Sequence, residues 1–216
     1  MKRLCVAAAI GVSAAGCATK PVADGPTKYS ATGACAKAWN ELKVQALPAP
    51  DKNGQVSPLV IDANTPCLSM NQYHEEPALL FSVSNLKVPA EVGVDSFGDQ
   101  PATFAPLIAV LDQAYREIAR TNFAQFSKRG TNYSASIFLN KREPAPAYLL
   151  VMADMQSMGQ SNVHVAGVSD NMYVNTGAVA FTVVNGHEVT TRSVLSDLGR
   201  ISITVKSEPP LAAPRQ

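Results

Sequence analysis

The sequence predicts a mostly β protein: a single β-sandwich or jelly-roll-like domain with a short N-terminal helix, following a signal peptide and a flexible spacer. Two observations support this prediction. Short apolar segments recur at a spacing of roughly 10–20 residues, and no amphipathic helices separate them as they would in a βαβ fold. The closing segment alternates apolar and polar residues at Ile201, Ile203 and Val205, which is typical of a strand with one buried face.

The first residues of the 216-residue chain have the features of an export signal. Lys2 and Arg3 precede an apolar run over residues 4–12, which is too short to cross a bilayer. The following Ala14-Ala15-Gly16-Cys17 resembles the lipobox of bacterial lipoproteins, in which the cysteine is acylated, with palmitate for example. We therefore expect Cys17 to be the lipid-attachment site. The alternative is an ordinary cleaved signal with an incidental cysteine.

The residue after Cys17 bears on the membrane to which the protein is sorted. Ala18 stands where inner-membrane lipoproteins of the enteric type often have Asp, so this resemblance implies an outer-membrane anchor with the domain facing the periplasm. Each buried methylene of an acyl chain contributes about 0.8 kcal/mol, and two or more chains anchor a protein stably. We therefore expect the lipid to make the membrane a partner. The net charge is only +1 and the sequence has no basic stripe, so we expect no nucleic-acid partner.

Composition divides the chain into a leader, a spacer, a domain and a tail. The spacer is rich in Thr, Ala, Pro and Gly, and the tail is rich in Pro and Ala, which is typical of flexible segments. The predicted parts are a signal peptide over 1–16, a flexible tether over 17–33, a β-sandwich domain over 34–206 and a disordered tail over 207–216.

Three segments of the domain carry specific predictions. Residues 34–44 place Ala34, Ala38, Trp39 and Leu42 at helical spacing, which predicts the short helix. The continuous apolar run 107–111 predicts a strand buried on both faces. Residues 156–176 are rich in Ser, Asn, Gly and Met without a clear period, which predicts a long mobile loop.

The four cysteines reduce to one pair once Cys5 leaves with the signal and Cys17 takes lipid. Cys35 and Cys67 then remain in an oxidising compartment, where a disulfide is favoured. The bridge would close a loop of about 33 residues, worth roughly 3–4 kcal/mol in the chain-entropy model. Two buried free thiols or half of a metal site are the alternatives.

Three segments resemble the core of the maltose-operon periplasmic protein family. They are FAPLIAVLD over 104–112, YLLV over 148–151 and GRISITVK over 199–206. Membership would imply an envelope protein linked to maltose or maltodextrin uptake, with no established catalysis and no catalytic residues to carry over.

No pattern of residues predicts an enzyme, a cofactor or a metal site. The polar cluster His74-Glu75-Glu76 is followed directly by Pro77 and is typical of a solvated loop. Asp95, Asp99 and Asp112 are spread around Gly98, but their spacing matches no EF-hand loop. We therefore expect no catalytic residues, no metal and no cofactor.

The candidate ligand-binding residues combine aromatic rings with amides. Sugar sites stack pyranose faces on aromatic rings beside amide groups, and amides both donate and accept hydrogen bonds. Packing of the predicted helix is the alternative role for Trp39, and the predicted loop could equally be a tolerated surface insertion. The candidates are Trp39, Asn162, Asn171, Tyr173 and Asn175.

Three functions remain open from the sequence. The first is a non-catalytic accessory lipoprotein in carbohydrate uptake that binds maltodextrin or an envelope transport component. The second is a structural, protein-docking module at the outer membrane. The third is an envelope hydrolase with an unrecognised site.

Overall fold

The computed structural model describes residues 28–71, 74–98, 101–140, 144–175 and 180–207. Fourteen strands and two short 3-10 helices occupy these residues. The 3-10 helices cover Trp39–Glu41 and Phe123–Gln125. In chain order the strands are β1 (Val44–Ala46), β2 (Leu59–Ile61), β3 (Cys67–Asn71), β4 (His74–Ser82), β5 (Ala90–Ser96), β6 (Ala102–Phe104), β7 (Pro106–Leu111), β8 (Glu117–Thr121), β9 (Ser127–Arg129), β10 (Asn132–Leu139), β11 (Tyr148–Ala153), β12 (Ser161–Asn175), β13 (Ala180–Ser196) and β14 (Gly199–Ser207).

The strands form three sheets. The first has the order β1-β4-β11-β7-β8, with β3 also paired to β4. The second has the order β2-β14-β5-β10-β9, and the third joins β12, β13 and β6. Most neighbouring strands are antiparallel, but β1 runs parallel to β4 and β13 parallel to β6.

The first and second sheets pack face to face as a β-sandwich. Phe81 and Val151 from the first sheet share one buried cluster with Val92, Val94 and Ile203 from the second. Strand β5 alternates buried and half-buried residues along its whole length, as expected for a strand with one face in the core. The predicted mostly β sandwich is therefore confirmed.

The first sheet is buried on both of its faces. All six residues of β7 are buried, which confirms the strand predicted from the apolar run 107–111. On the outer face, Leu80 and Leu150 belong to a second buried cluster, against which Trp39 and Tyr115 pack. The second sheet differs, because β10 and β5 pair polar groups outside the core, such as Ser136 with Glu91.

The N-terminal helix predicted over 34–44 is wrong. Only the 3-10 turn Trp39–Glu41 is helical there. The Ala36 N–H donates to the Cys67 carbonyl at 2.9 Å, and the Ser69 N–H donates to the Ala36 carbonyl at 2.8 Å. This segment therefore finds its backbone hydrogen bonds in the edge of the first sheet, which overrides a weak local helical preference.

The predicted disulfide is confirmed. Cys35 and Cys67 are bonded with a Cα–Cα distance of 4.7 Å and a sequence separation of 32. Upstream of it, Tyr29 is buried, and its hydroxyl donates to the Thr65 carbonyl at 2.7 Å. The packed part of the chain therefore includes Tyr29, which lies within the predicted tether.

The long loop predicted over 156–176 is also wrong, because β12 occupies most of it. Strand β12 pairs with β13 from Ser161–Val194 to Asn175–Ala180 without a register shift. We call this hairpin the ribbon. Its described side chains are mostly exposed, so their burial does not require the apolar alternation by which a strand is recognised in a sequence. No helix within the described residues is long and apolar enough to span a membrane.

Candidate functional site

A shallow groove lies at the outer face of the first sheet. Its volume is about 300 Å³, near the lower end of the range of small-ligand sites. Trp39 and Tyr115 supply its aromatic surface, and both are half-buried. Its lining residues are Lys37, Ala38, Trp39, Asn40, Ala114 and Tyr115.

The turn between β7 and β8 positions Tyr115. Asp112 Oδ1 accepts hydrogen bonds from the backbone N–H groups of Ala114 at 2.8 Å and Arg116 at 2.9 Å. Asp112 Oδ2 accepts from Arg116 Nε at 2.8 Å. These bonds, of which the one from the Arg116 N–H has the largest effect, lower the pKa of Asp112. The turn holds Tyr115 at a φ of 58°, in the left-handed region that non-glycine residues seldom occupy.

Tyr148 supports the Tyr115 ring from behind the turn. The two rings are stacked with centroids 4.7 Å apart and planes inclined by 8°. A hydrogen bond with Tyr148, followed by burial, raises the pKa of Tyr115. Both effects favour the neutral phenol, so Tyr115 presents an uncharged aromatic surface to the groove at neutral pH.

Trp39 is held mainly by packing. It lies against the outer cluster of the first sheet, and its indole Nε1 is buried without a hydrogen-bond partner in the described part of the chain. The turn around it is closed by Glu41, whose carboxylate accepts from the Lys37 backbone N–H at 2.7 Å. Trp39 therefore packs on the first sheet, as in the alternative role, and also lines the groove.

The structure separates Trp39 from the other predicted ligand-binding residues. Asn171 and Tyr173 are exposed on the ribbon, and none of the six groove-lining residues belongs to it. Asn162 and Asn175 lie near opposite ends of β12, a separation of roughly 40 Å in an extended strand. Asn162 therefore lies apart along the strand from Asn171, Tyr173 and Asn175.

Tyr115 is the residue that sequence reasoning missed. The sequence indicates a turn at Asp112-Gln113. An aromatic residue shortly after a turn is a feature that could have marked Tyr115 as a candidate. Its place in one groove with Trp39 could not be predicted from the sequence, because the two residues are far apart in the chain and both pack on the outer cluster of the first sheet.

Asp95 and Asp112, two of the carboxylates singled out in the sequence, have structural partners. Asp95 accepts from the Ser134 hydroxyl in the second sheet, far in the topology from the Asp112 turn in the first. Buried Asp154 accepts from the Phe123 backbone N–H at 2.9 Å and the Ser157 hydroxyl at 3.1 Å. The described residues contain no group of three or more His, Cys, Asp or Glu that could hold a metal ion. Asp99 lies outside them.

The imidazole of His74 contacts a thioether. Its Nε2 lies 3.1 Å from Met155 Sδ. Burial raises the pKa of the nearby Glu76, and the charge of His74 partly offsets this rise. The His74–Met155 contact ties the start of β4 to the turn after β11.

Cys17, the predicted lipid-attachment residue, lies outside the described residues. Comparison of the chain with protein-family models, curated proteins and solved structures finds no match.

Proposed function

We propose that the protein is a non-catalytic envelope lipoprotein that assists carbohydrate uptake by binding a maltodextrin-like glycan. It is anchored in the outer membrane through Cys17 and faces the periplasm. The observation that carries the binding role is the groove in which Trp39 and Tyr115 lie together. The resemblance of three core segments to the maltose-operon periplasmic proteins supports the choice of glycan.

The groove offers the contacts that a sugar ring requires. The C–H-rich face of a pyranose packs on aromatic rings, which contribute both apolar area and an electrostatic preference. Asn40 can donate to and accept from sugar hydroxyls, and the Lys37 ammonium can donate to them. The stack on Tyr148 fixes the Tyr115 ring, so little side-chain entropy is lost on binding.

The groove also supports a role without turnover. Glycoside hydrolysis ordinarily uses a pair of carboxyl groups that flank the scissile bond. The six residues lining the groove include no carboxyl group, imidazole or thiol. Two carboxylates beside the groove accept hydrogen bonds from backbone N–H groups: Asp112 from Ala114 and Arg116, and Glu41 from Lys37.

Calorimetric titration of the purified protein with maltoheptaose tests the binding role. We expect Trp39→Ala and Tyr115→Ala each to weaken binding at least tenfold, because each removes one of the two rings. Phe138→Ala is the matched control, since Phe138 is 67 % exposed on the second sheet. Circular dichroism verifies that each variant is folded. No heat at millimolar ligand, or equal losses in the control, would rule out this sugar site.

Fractionation of cells tests the anchor. We expect the wild-type protein in the membrane fraction and Cys17→Ser in the soluble periplasmic fraction, because the variant cannot be acylated. A wild-type protein that is already soluble would contradict the lipoprotein assignment.

A second candidate function is a protein-docking module at the outer membrane. The ribbon favours it, because exposed apolar side chains often mark contact sites, and Val163, Met172, Tyr173 and Val184 are all exposed there. Uptake assays distinguish the two functions. If Tyr173→Lys lowers maltodextrin uptake while Trp39→Ala does not, docking is the main role; the reverse result favours the groove.

A further inference from the structure

Among the described residues, no strand pairs with the outer edge of the ribbon. Strand β12 stands at the end of the third sheet, where its partner is β13, and β13 in turn pairs with β6 only over Val194–Ser196. Most of the ribbon is therefore two-stranded. Isolated two-stranded hairpins are marginally stable in water, and a third or fourth strand is needed for independent stability.

The hydrogen bonds at the base of the ribbon show which residues of β12 face the open edge. The Leu195 N–H donates inward to the Gln160 carbonyl at 2.9 Å. The Val163 carbonyl instead accepts from Lys128 Nζ at 3.2 Å, from outside the ribbon. Because successive residues alternate in direction and the register is unbroken, the odd-numbered residues of β12 direct their N–H and C=O groups to the edge.

Beyond Val163, the described part of the chain gives this edge none of the devices by which proteins protect exposed strands. Natural edge strands carry lysines, prolines or bulges, or are covered by other elements. Strand β12 contains no lysine, arginine or proline, and Asp170 is its one acidic residue. Its pairing with β13 shows no bulge. Lys128 covers the edge at Val163. Beyond that residue, the outward N–H and C=O groups of β12 can pair with another strand.

We propose that a second copy of this chain pairs with this edge, β12 against β12 in antiparallel orientation, to form a continuous four-stranded sheet across a two-fold axis. An isologous contact of this kind places the same strand on both sides of the interface. Each copy supplies the strand that the other lacks. The identical, oppositely running edges present N–H and C=O groups at the same spacing, so they can pair over their whole open length.

Charge selects the register of this pairing. A two-fold axis at Asp170 would set the two Asp170 carboxylates opposite each other, and like charges directly opposite destabilise a sheet. An axis at Ser169 instead places Asp170 opposite Val168 of the second copy. It also places Val165 opposite Tyr173, an aromatic and β-branched pair of the kind that stabilises sheets. The overlap then begins next to Val163, where the cover provided by Lys128 ends.

The size of the contact fits a stable dimer. With the axis at Ser169, the five odd-numbered residues from Val165 to Tyr173 of each copy face the contact. They can exchange about ten backbone hydrogen bonds, which is a typical number for a protein interface. The exposed apolar side chains of the ribbon would lie in or beside the contact. Among them, Tyr173 is 68 % exposed and Met172 is 60 % exposed in the single chain.

Analytical ultracentrifugation of the purified full-length protein in mild detergent tests the proposal. We expect a dimer for the wild type and at least tenfold weaker association for Ser169→Pro. Proline removes an N–H that faces the edge and takes no part in the β12–β13 ladder, so the ribbon itself should persist. Ser169→Ala retains the N–H and is the matched control, expected to dimerise like the wild type.

A cysteine at the two-fold axis tests the register independently of the proline variant. Paired Cα atoms at such a position lie about 5.5 Å apart, within disulfide range. Ser169→Cys should therefore form a covalent dimer on mild oxidation, whereas Thr182→Cys, exposed on β13, should not. A monomeric wild type, a dimer unchanged by Ser169→Pro, or equal cross-linking of both cysteine variants would each overturn the proposal.

Discussion

The first sheet and the ribbon are both built from paired strands, yet they differ in what surrounds the strands. Leu150 in β11 is completely buried, whereas Tyr173 in β12 is 68 % exposed. In the first sheet, side chains on both faces leave water, and this burial supplies stability. In the ribbon, backbone pairing holds the strands together while its described apolar side chains stay largely in water. Stability is therefore concentrated in the first sheet.

The largest expected effect comes from removing a side chain from the first sheet. Leu150→Ala should lower the free energy of unfolding by about 2–5 kcal/mol, because it deletes buried methyl groups and leaves a cavity. Tyr173→Ala should change it by no more than about 0.5 kcal/mol, as expected for an exposed position. Urea unfolding followed by circular dichroism measures both. Equal effects at the two positions would contradict the difference drawn between sheet and ribbon.

A somewhat smaller effect is expected from the disulfide that ties the N-terminal segment over the first sheet. The double variant Cys35→Ala, Cys67→Ala should lose about 2–4 kcal/mol, because the unfolded chain is no longer cross-linked. The outer cluster contains Trp39 and Leu42 from this segment, so tryptophan fluorescence should report loosening before global unfolding. If the double variant is as stable as the oxidised wild type, the disulfide-linked N-terminal segment contributes little to the burial of the first sheet.

The smallest expected effect concerns the turn that presents Tyr115. Asp112→Asn should destabilise the protein at neutral pH, because an amide cannot accept from Arg116 Nε as the carboxylate does. Hydrogen bonds lower the pKa of Asp112 in the folded state, so its stabilising contribution is present above the ordinary Asp pKa of about 4 and is lost as the pH falls through the lowered value.

Unfolding experiments at several pH values check this sign. The difference in stability between the wild type and Asp112→Asn should narrow as the solution is acidified below about pH 4. Glu117→Gln, in the ion pair with Arg120 next to the same turn, is a control at an exposed position, where ion pairs contribute little. A difference that grows on acidification would show that the Asp112 carboxylate does not stabilise the turn.

Features that depend on local pattern could be predicted from the sequence. The apolar run 107–111 is buried on both faces, and the alternating Ile201 and Ile203 enter the core, because period-2 and continuous apolar patterns report burial directly. Counting cysteines predicted the Cys35–Cys67 bond. Trp39, one of the predicted ligand-binding residues, lines the groove, and its role there stays a prediction. Tyr115, which lines the same groove, was not identified.

The misread segments are those whose conformation is set by distant partners. Residues 34–44 have apolar residues at helical spacing. Their conformation is set instead by the disulfide to Cys67 and by backbone hydrogen bonds between Ala36 and the edge of the first sheet. Residues 161–175 have no apolar period, because a ribbon with its described side chains in water needs none.

The sequence by itself determined the β class, the buried strands and the disulfide, since these depend on residue type and near-neighbour spacing. The tertiary structure decided that Trp39 and Tyr115 share a groove and that β12 exposes an open edge. Both outcomes depend on contacts between segments far apart in the chain, and such contacts leave no periodic trace in the sequence.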